Sequence, residues 1–133
     1  WTGSNYISHY GINFINIQDL TNPYLISSID DNDMWNTRKV AIVGNYLYAP
    51  AGNAGVKIYD IGDIELPTFI KTINTPGYAS SLEVSGNYAY LATASTSREF
   101  IIYDISNPSN PVLLSTLSVG QGVAVTVAEE PHS

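Results

Sequence analysis

The chain repeats itself every 44 residues, and this spacing constrains its fold more than any other feature. Pro23, Pro67 and Pro111 stand at that interval. The apolar segments before these prolines align in the same register, at residues 11–17 (GINFINI), 55–61 (GVKIYDI) and 99–105 (EFIIYDI). A period in the low forties that is rich in short β segments has the length of one four-stranded propeller blade.

Each repeat contains four segments with the pattern of a β-strand. The first shows alternation, and the second follows a two-residue Gly-Asn turn at Gly44 or Gly86, where glycine tolerates the positive φ of a tight hairpin. The predicted strands cover residues 40–42, 46–49, 56–61 and 69–73 in one repeat and 82–84, 88–92, 100–105 and 112–117 in the next. No window has helical periodicity. We therefore predict an all-β fold with negligible helix, built from four-stranded antiparallel blades.

The third strand carries a resemblance to the LVIVD-repeat family of β-propeller proteins. Residues 56–60 (VKIYD) and 100–104 (FIIYD) resemble its pentad, and residues 12–16 (INFIN) are a degenerate copy that ends in Asn. The segments DISNPSNP and SGNYAYLA are also similar to the family, so the resemblance covers residues 11–118. It implies a propeller, usually secreted or on a bacterial or archaeal surface, and it implies no common activity.

The two ends of the chain predict a third, divided blade. Residues 5–7, 12–17 and 25–29 offer three strands, and alternating valines at 123–127 can supply the missing first strand. We therefore treat residues 1–133 as one propeller segment, with repeat units at about 11–54, 55–98 and 99–128. Rings of about four to eight blades are known, so three blades cannot close. We expect a homodimer with six blades; a truncated fragment of a longer surface propeller is the alternative.

Composition excludes several classes of partner. The chain has 12 acidic and 5 basic residues, for a net charge of −7, and its bases are scattered. Nucleic acid requires clustered Lys and Arg, so we expect no nucleic-acid partner. No apolar run is long enough to insert into a membrane, and the absence of cysteine excludes disulfides and thiolate chemistry. A charged fraction of 13% with ten tyrosines is typical of an extracytoplasmic protein, secreted or at the cell surface.

The loop at residues 30–38 (DDNDMWNTR) is the longest and least repeated of the loops. In a propeller, loops that join successive blades share one face with the loops between the second and third strands of each blade. Function concentrates in such loops. We therefore predict a ligand site near the ring axis, lined by Trp35, Arg38 and Tyr78. Alternatively, Trp35 caps the core or packs against a partner.

Other chemical candidates have simpler structural explanations. The acids at 30–33 lack the spacing and the glycine of a calcium loop, which favours a solvated acidic loop. Asp60 and Asp104 are possible acid/base groups, but their place in the repeat indicates carboxylates that accept backbone N–H bonds in the next turn. His9 and His132 have no catalytic spacing. We predict no catalytic residue, no metal site and no cofactor.

Two functions remain. The first is a non-catalytic extracytoplasmic binding or scaffold propeller whose ligand is a protein or a carbohydrate. The second is a propeller enzyme, a lyase or hydrolase, with its site at the central axis. The chain offers no triad, so we favour the first. An axial pocket that collects two or more titratable side chains would support the second.

Overall fold

The computed structural model describes residues 10–37, 39–94, 99–119 and 126. The strands of these ranges are β1 (Gly11–Asn16), β2 (Tyr24–Asp30), β3 (Ala41–Val43), β4 (Tyr46–Pro50), β5 (Val56–Asp60), β6 (Thr68–Ile73), β7 (Tyr78–Ser85), β8 (Tyr88–Ala94), β9 (Glu99–Asp104) and β10 (Val112–Ser118). A single 3₁₀ turn at Asn32–Met34 is the one helical element among the described residues. The all-β prediction is confirmed. No helix in the described ranges is long and apolar enough to cross a membrane.

Two sheets are complete four-stranded antiparallel blades. Strands β3 to β6 form blade 1 in sequence order, and β7 to β10 form blade 2 in the same order. Strands β1 and β2 form a two-stranded sheet, which corresponds to the third and fourth strands of the predicted divided blade. The other strands predicted for that blade, at 5–7 and 123–127, lie outside the described residues apart from Thr126.

The Gly-Asn hairpins take the predicted form. Gly44 and Gly86 have φ of 57° and 61°, in the left-handed region that side chains with a Cβ rarely adopt. The flanking residues pair in the register of a two-residue turn, Val43 with Tyr46 and Ser85 with Tyr88. These turns therefore set the register between the first and second strands of each blade.

The turn after each third strand explains the repeated acids. Asn16, Asp60 and Asp104 each accept a hydrogen bond from the backbone N–H two residues later, at 2.8–2.9 Å. A second side chain three residues further on does the same in each repeat: Asp19, Asp63 and Asn107. The backbone N–H of Ser106 lowers the pKa of Asp104. The expectation that these carboxylates stabilise turns is confirmed for the described structure.

Strand β7 begins earlier than the sequence indicated. The first strand of this repeat was predicted at residues 82–84, but β7 already begins at Tyr78. In this extension Tyr78 pairs with Ala94 of β8 and Ala79 pairs with Thr93. Ala79 also exchanges backbone hydrogen bonds of 2.9 and 3.1 Å with Gly52 of the preceding blade. Because all of these partners are distant in the sequence, the residues next to Tyr78 contain no signal for this extension.

Blade 1 lies between two apolar layers. One layer joins it to blade 2 and contains the side chains Tyr48, Val56, Ile58, Ile73, Leu82, Leu91, Ile101 and Tyr103. The other joins it to the β1–β2 sheet and contains Phe14, Ile29, Met34, Leu47, Ala49 and Tyr59. Burial of each large apolar side chain stabilises the fold by about 1.5–3 kcal/mol. These two layers therefore hold the three sheets in a stack.

Candidate functional site

Three segments meet at one end of the boundary between the blades. The loop before β3 is attached to blade 1 by the Thr37 hydroxyl, which donates to the Pro50 carbonyl at 2.7 Å. It is attached to blade 2 by the Asn36 amide, which donates to the Tyr78 hydroxyl at 2.6 Å. The turn between β4 and β5 contacts the start of β7 through the backbone bridge between Gly52 and Ala79. The predicted convergence of inter-blade loops with the second-to-third-strand loop therefore holds here.

A cavity of about 130 Å³ opens between these segments. It is lined by Asn36, Lys39, Pro50, Tyr78 and residues 79–82. Amide, ammonium and hydroxyl groups therefore lie beside the apolar side chains of Pro50 and Leu82. Such a mixture of apolar walls with a few placed polar groups is typical of ligand sites.

The Tyr78 ring is positioned by close contact with Gly52. A Cβ on Gly52 would lie 2.7 Å from the ring atom Cε2 of Tyr78, and Gly52 has φ of +59°. The lack of room for a Cβ and the backbone conformation therefore both require glycine at this position. The ring rests on bare backbone, and the hydroxyl is directed to Asn36.

The three residues predicted for the site have different places. Tyr78 lines the cavity. Trp35 ends the 3₁₀ turn, is 62% exposed and is not among the lining residues. Its neighbour Met34 is the side chain of this turn that enters the core, at 2% exposure. Arg38 lies outside the described residues.

A charge cluster holds the other half of the same loop. The Lys57 ammonium pairs with carboxylate oxygens of both Asp31 and Asp33, the latter at 2.7 Å. Asp31 also accepts hydrogen bonds from the Tyr59 hydroxyl at 3.1 Å and from the Asp33 backbone N–H at 2.9 Å. The Lys57 and Asp31 side chains are 12% and 17% exposed. The loop expected to be merely solvated is therefore tied to β5 by ion pairs.

The cluster shifts the ionisation of its members. Partial burial alone would raise the pKa of Asp31, but the hydrogen bond from Lys57 and the Asp33 N–H outweigh it and lower that pKa. Burial and the neighbouring Asp31 carboxylate raise the pKa of Tyr59 to about 12. Asp31 is therefore an anion at neutral pH, and Tyr59 keeps the proton that it donates to Asp31.

The charge cluster does not form a metal site. No group of three or more His, Asp or Glu side chains among the described residues has the arrangement to hold a metal ion. The position between Asp31 and Asp33 holds the Lys57 ammonium instead.

Sequence comparison assigns the two blades to a known repeat. Residues 36–75 and residues 76–118 each match the LVIVD repeat, and together they cover more than half of the chain. The chain belongs to the LVIVD-repeat family. The two matched LVIVD repeats contain blade 1 and blade 2, with the loop segment that leads into each. No curated protein shows a match to the chain.

Sequence reasoning predicted Tyr78 but missed Lys57 and the cavity residues Asn36 and Lys39. Lys57 stands at the second position of the pentad, where the next repeat has Ile101 and the degenerate copy has Asn13. A lone lysine among the apolar residues of the pentad, with three acids in the loop that leads into the same blade, is the signal that could have predicted the ion pairs. Asn36 and Lys39 had no such signal, because they become cavity residues through the packing of blade 2 against their loop.

Proposed function

We propose that this LVIVD-repeat protein is a non-catalytic binding module at the cell exterior, and that its ligand is a carbohydrate held at the cavity beside Tyr78. The observation that carries the proposal is the Asn36–Tyr78 hydrogen bond at the edge of a polar cavity between two blades. The low charged fraction and high tyrosine content support an extracytoplasmic location.

The size and the lining of the cavity indicate which part of a ligand would enter. Pockets for drug-sized ligands measure about 300–1,000 Å³, so a cavity of about 130 Å³ suits one end group of a longer molecule. Donors and acceptors close to an aromatic ring match a sugar, which has hydroxyls on its rim and C–H groups on its face. The Lys39 ammonium favours a sugar that carries a carboxylate.

Trp35 supplies a second feature of the same kind. It is 62% exposed and directly precedes Asn36, the residue that binds the Tyr78 hydroxyl. The loop that carries Trp35 is fixed by hydrogen bonds, and the indole ring is exposed to solvent. Such a ring offers a large apolar contact area to a ligand at a small cost in conformational entropy. We assign Trp35 to contact with the part of the ligand outside the cavity.

The test is calorimetric titration with oligosaccharides of galacturonic acid and of glucose. We expect binding of the acidic series, with a tenfold loss for Tyr78→Phe, which removes one hydroxyl and keeps the ring on Gly52. Tyr24→Phe is the matched control, since Tyr24 is an exposed tyrosine on β2. Equal affinity of Tyr78→Phe and the native chain, or no binding of either series, would contradict the proposal.

A second candidate function has one observation in its favour. Lys39 and Tyr78 are two titratable side chains that line the same cavity, and both residue types can transfer protons. A lyase acting on an acidic polysaccharide would use one of the pair to take the proton beside the sugar carboxylate and the other to protonate the departing glycosidic oxygen, as the C–O bond breaks and a C=C bond forms. Ultraviolet absorbance would detect the unsaturated product of such a reaction. If the native chain forms this product and Tyr78→Phe does not, the site is catalytic and the binding proposal is wrong.

A further inference from the structure

The unfinished ends of the stack carry an inference that is independent of the ligand site. We propose that the outer face of blade 2, the face turned away from blade 1, is covered by the β1–β2 sheet of a second copy of the chain. Two copies would then join head to tail and form one closed ring.

The first support is a face that is buried in blade 1 and open in blade 2. Ile58 and Ile73 face blade 2 and are 0% and 6% exposed. Their equivalents one period later are Ile102 and Leu117, which lie on the outer face of blade 2. Ile102 is half-buried and Leu117 is 59% exposed. These two repeat positions are therefore covered by a neighbouring blade in blade 1 and are more exposed in blade 2.

The second support comes from the opposite end of the stack. Tyr59 and Tyr103 occupy one repeat position, and each is 6% exposed because the preceding sheet packs on it. The equivalent residue in β1 is Ile15, which is 47% exposed. Among the described residues, no sheet packs on the outer face of the β1–β2 sheet in the way that a preceding sheet packs on blades 1 and 2.

The interface between neighbouring sheets already occurs twice within the chain. Ile29 of the β1–β2 sheet and Tyr59 of blade 1 belong to one buried layer. Ile73 of blade 1 and Tyr103 of blade 2 belong to the second buried layer, and both also line a cavity between the two blades. In the next interface of the series, Leu117 would take the place of Ile29 and Ile73. It would lie opposite the repeat position of Tyr59 and Tyr103, which is Ile15 in a second copy.

The two open faces are the two halves of this repeated interface, and this argues for a second copy. A partner of another kind would match one face and leave the other exposed. A second copy of the chain covers both faces by one rotation, and a closed ring leaves no apolar blade face in water.

The first measurement is the mass of the full chain by sedimentation and light scattering at micromolar concentration. We expect a dimer, at twice the chain mass of 14.4 kDa. A folded monomer would overturn the proposal. Leu117→Lys and Ile15→Glu should each give monomers, since each places a charge in both interfaces of the ring. Leu66→Lys is the matched control, because Leu66 is 69% exposed in a turn, and it should remain a dimer.

Mixing the two variants tests the head-to-tail arrangement. A mixture of Leu117→Lys and Ile15→Glu chains should recover the dimer, since one interface is then native and the other pairs Lys with Glu. Failure to recover it, or an Ile15→Glu chain that stays dimeric alone, would overturn the arrangement and indicate blade 2 packed on blade 2. Circular dichroism of each variant establishes that it is folded.

Cysteine cross-linking gives a readout that does not depend on charge. The chain contains no cysteine. Under oxidation, a mixture of Ile15→Cys and Leu117→Cys chains should form covalent heterodimers. A mixture of Leu66→Cys and Leu117→Cys chains should not. Equal cross-linking in both mixtures would overturn the proposed contact.

Discussion

Blade 1 and blade 2 share strand order, hairpins and turns, but they bury different chemistry at the second position of the pentad. In blade 2 this position is Ile101, which is 0% exposed in the apolar layer between the blades. In blade 1 it is Lys57, which pairs with Asp31 and Asp33. The backbone repeat is therefore retained while one buried position changes from apolar to ionic.

The loop that leads into each blade accounts for the difference. The loop before blade 1 carries acids that bind the Lys57 ammonium. One of them, Asp31, caps the 3₁₀ turn by accepting a hydrogen bond from the Asp33 N–H. The loop before blade 2, residues 74–77 (NTPG), contains no acid. A charge is tolerated at this position where the neighbouring loop supplies opposite charges, since an unpaired buried ammonium is costly. Loops between blades thus determine which side chains the repeat can accept.

Transferring the lysine to blade 2 should have the largest effect. Ile101→Lys places an ammonium between two apolar faces with no acidic loop to receive it, and we expect a loss of about 4 kcal/mol of unfolding free energy. Urea unfolding followed by circular dichroism measures this loss. Ile101→Leu, which conserves volume, should cost less than about 1.5 kcal/mol. A lysine variant as stable as the leucine variant would show that the leading loop is irrelevant.

Removing the lysine from blade 1 should have a smaller effect. Lys57→Met leaves Asp31 without its cation in a partly buried place, and we expect a loss of about 1–2 kcal/mol, between the values for exposed and buried pairs. Lys71→Met on exposed β6 is the matched control and should stay within about 0.5 kcal/mol of the native chain. If both variants lose the same amount, the charge of Lys57 makes no specific contribution to stability.

The turn that both blades share should respond to one hydrogen bond. Asp60→Ala removes the acceptor of the Gly62 N–H, a bond of 2.8 Å, and we expect a loss of about 1 kcal/mol. Asp60→Asn should be nearly neutral, because Asn16 makes the same bond in the degenerate copy. Equal losses for the two variants would mean that charge, and not the turn bond, is what this position supplies.

The ion cluster should also give blade 1 a weak pH dependence. The pKa of Asp31 is lowered in the folded chain from an ordinary value of 3.8. Its contribution is therefore complete above pH 3.8 and is lost as the pH falls through the folded pKa. The stability gap between the native chain and Lys57→Met should therefore narrow as the pH falls below 3.8. A gap that stays constant in urea titrations would exclude this assignment.

Much of the fold could be read from residues close together in the sequence. The strands follow from alternation and apolar runs, and their register follows from Gly44 and Gly86, because these signals act within a few residues. The turn after each third strand was predictable for the same reason, since Asp60 and Asp104 bind backbone groups two residues away.

Tertiary packing decided the features that depend on distant neighbours. The start of β7 at Tyr78 depends on its pairing with the end of β8 and on the bridge from Ala79 to Gly52 in the other blade. The ion pairs of Lys57 depend on a loop more than twenty residues earlier. The cavity exists because Asn36 and Tyr78, 42 residues apart, meet across a blade boundary. A periodic sequence determines what each blade is. Which side chains meet between blades depends on stacking in space, because each blade buries its faces on its neighbours.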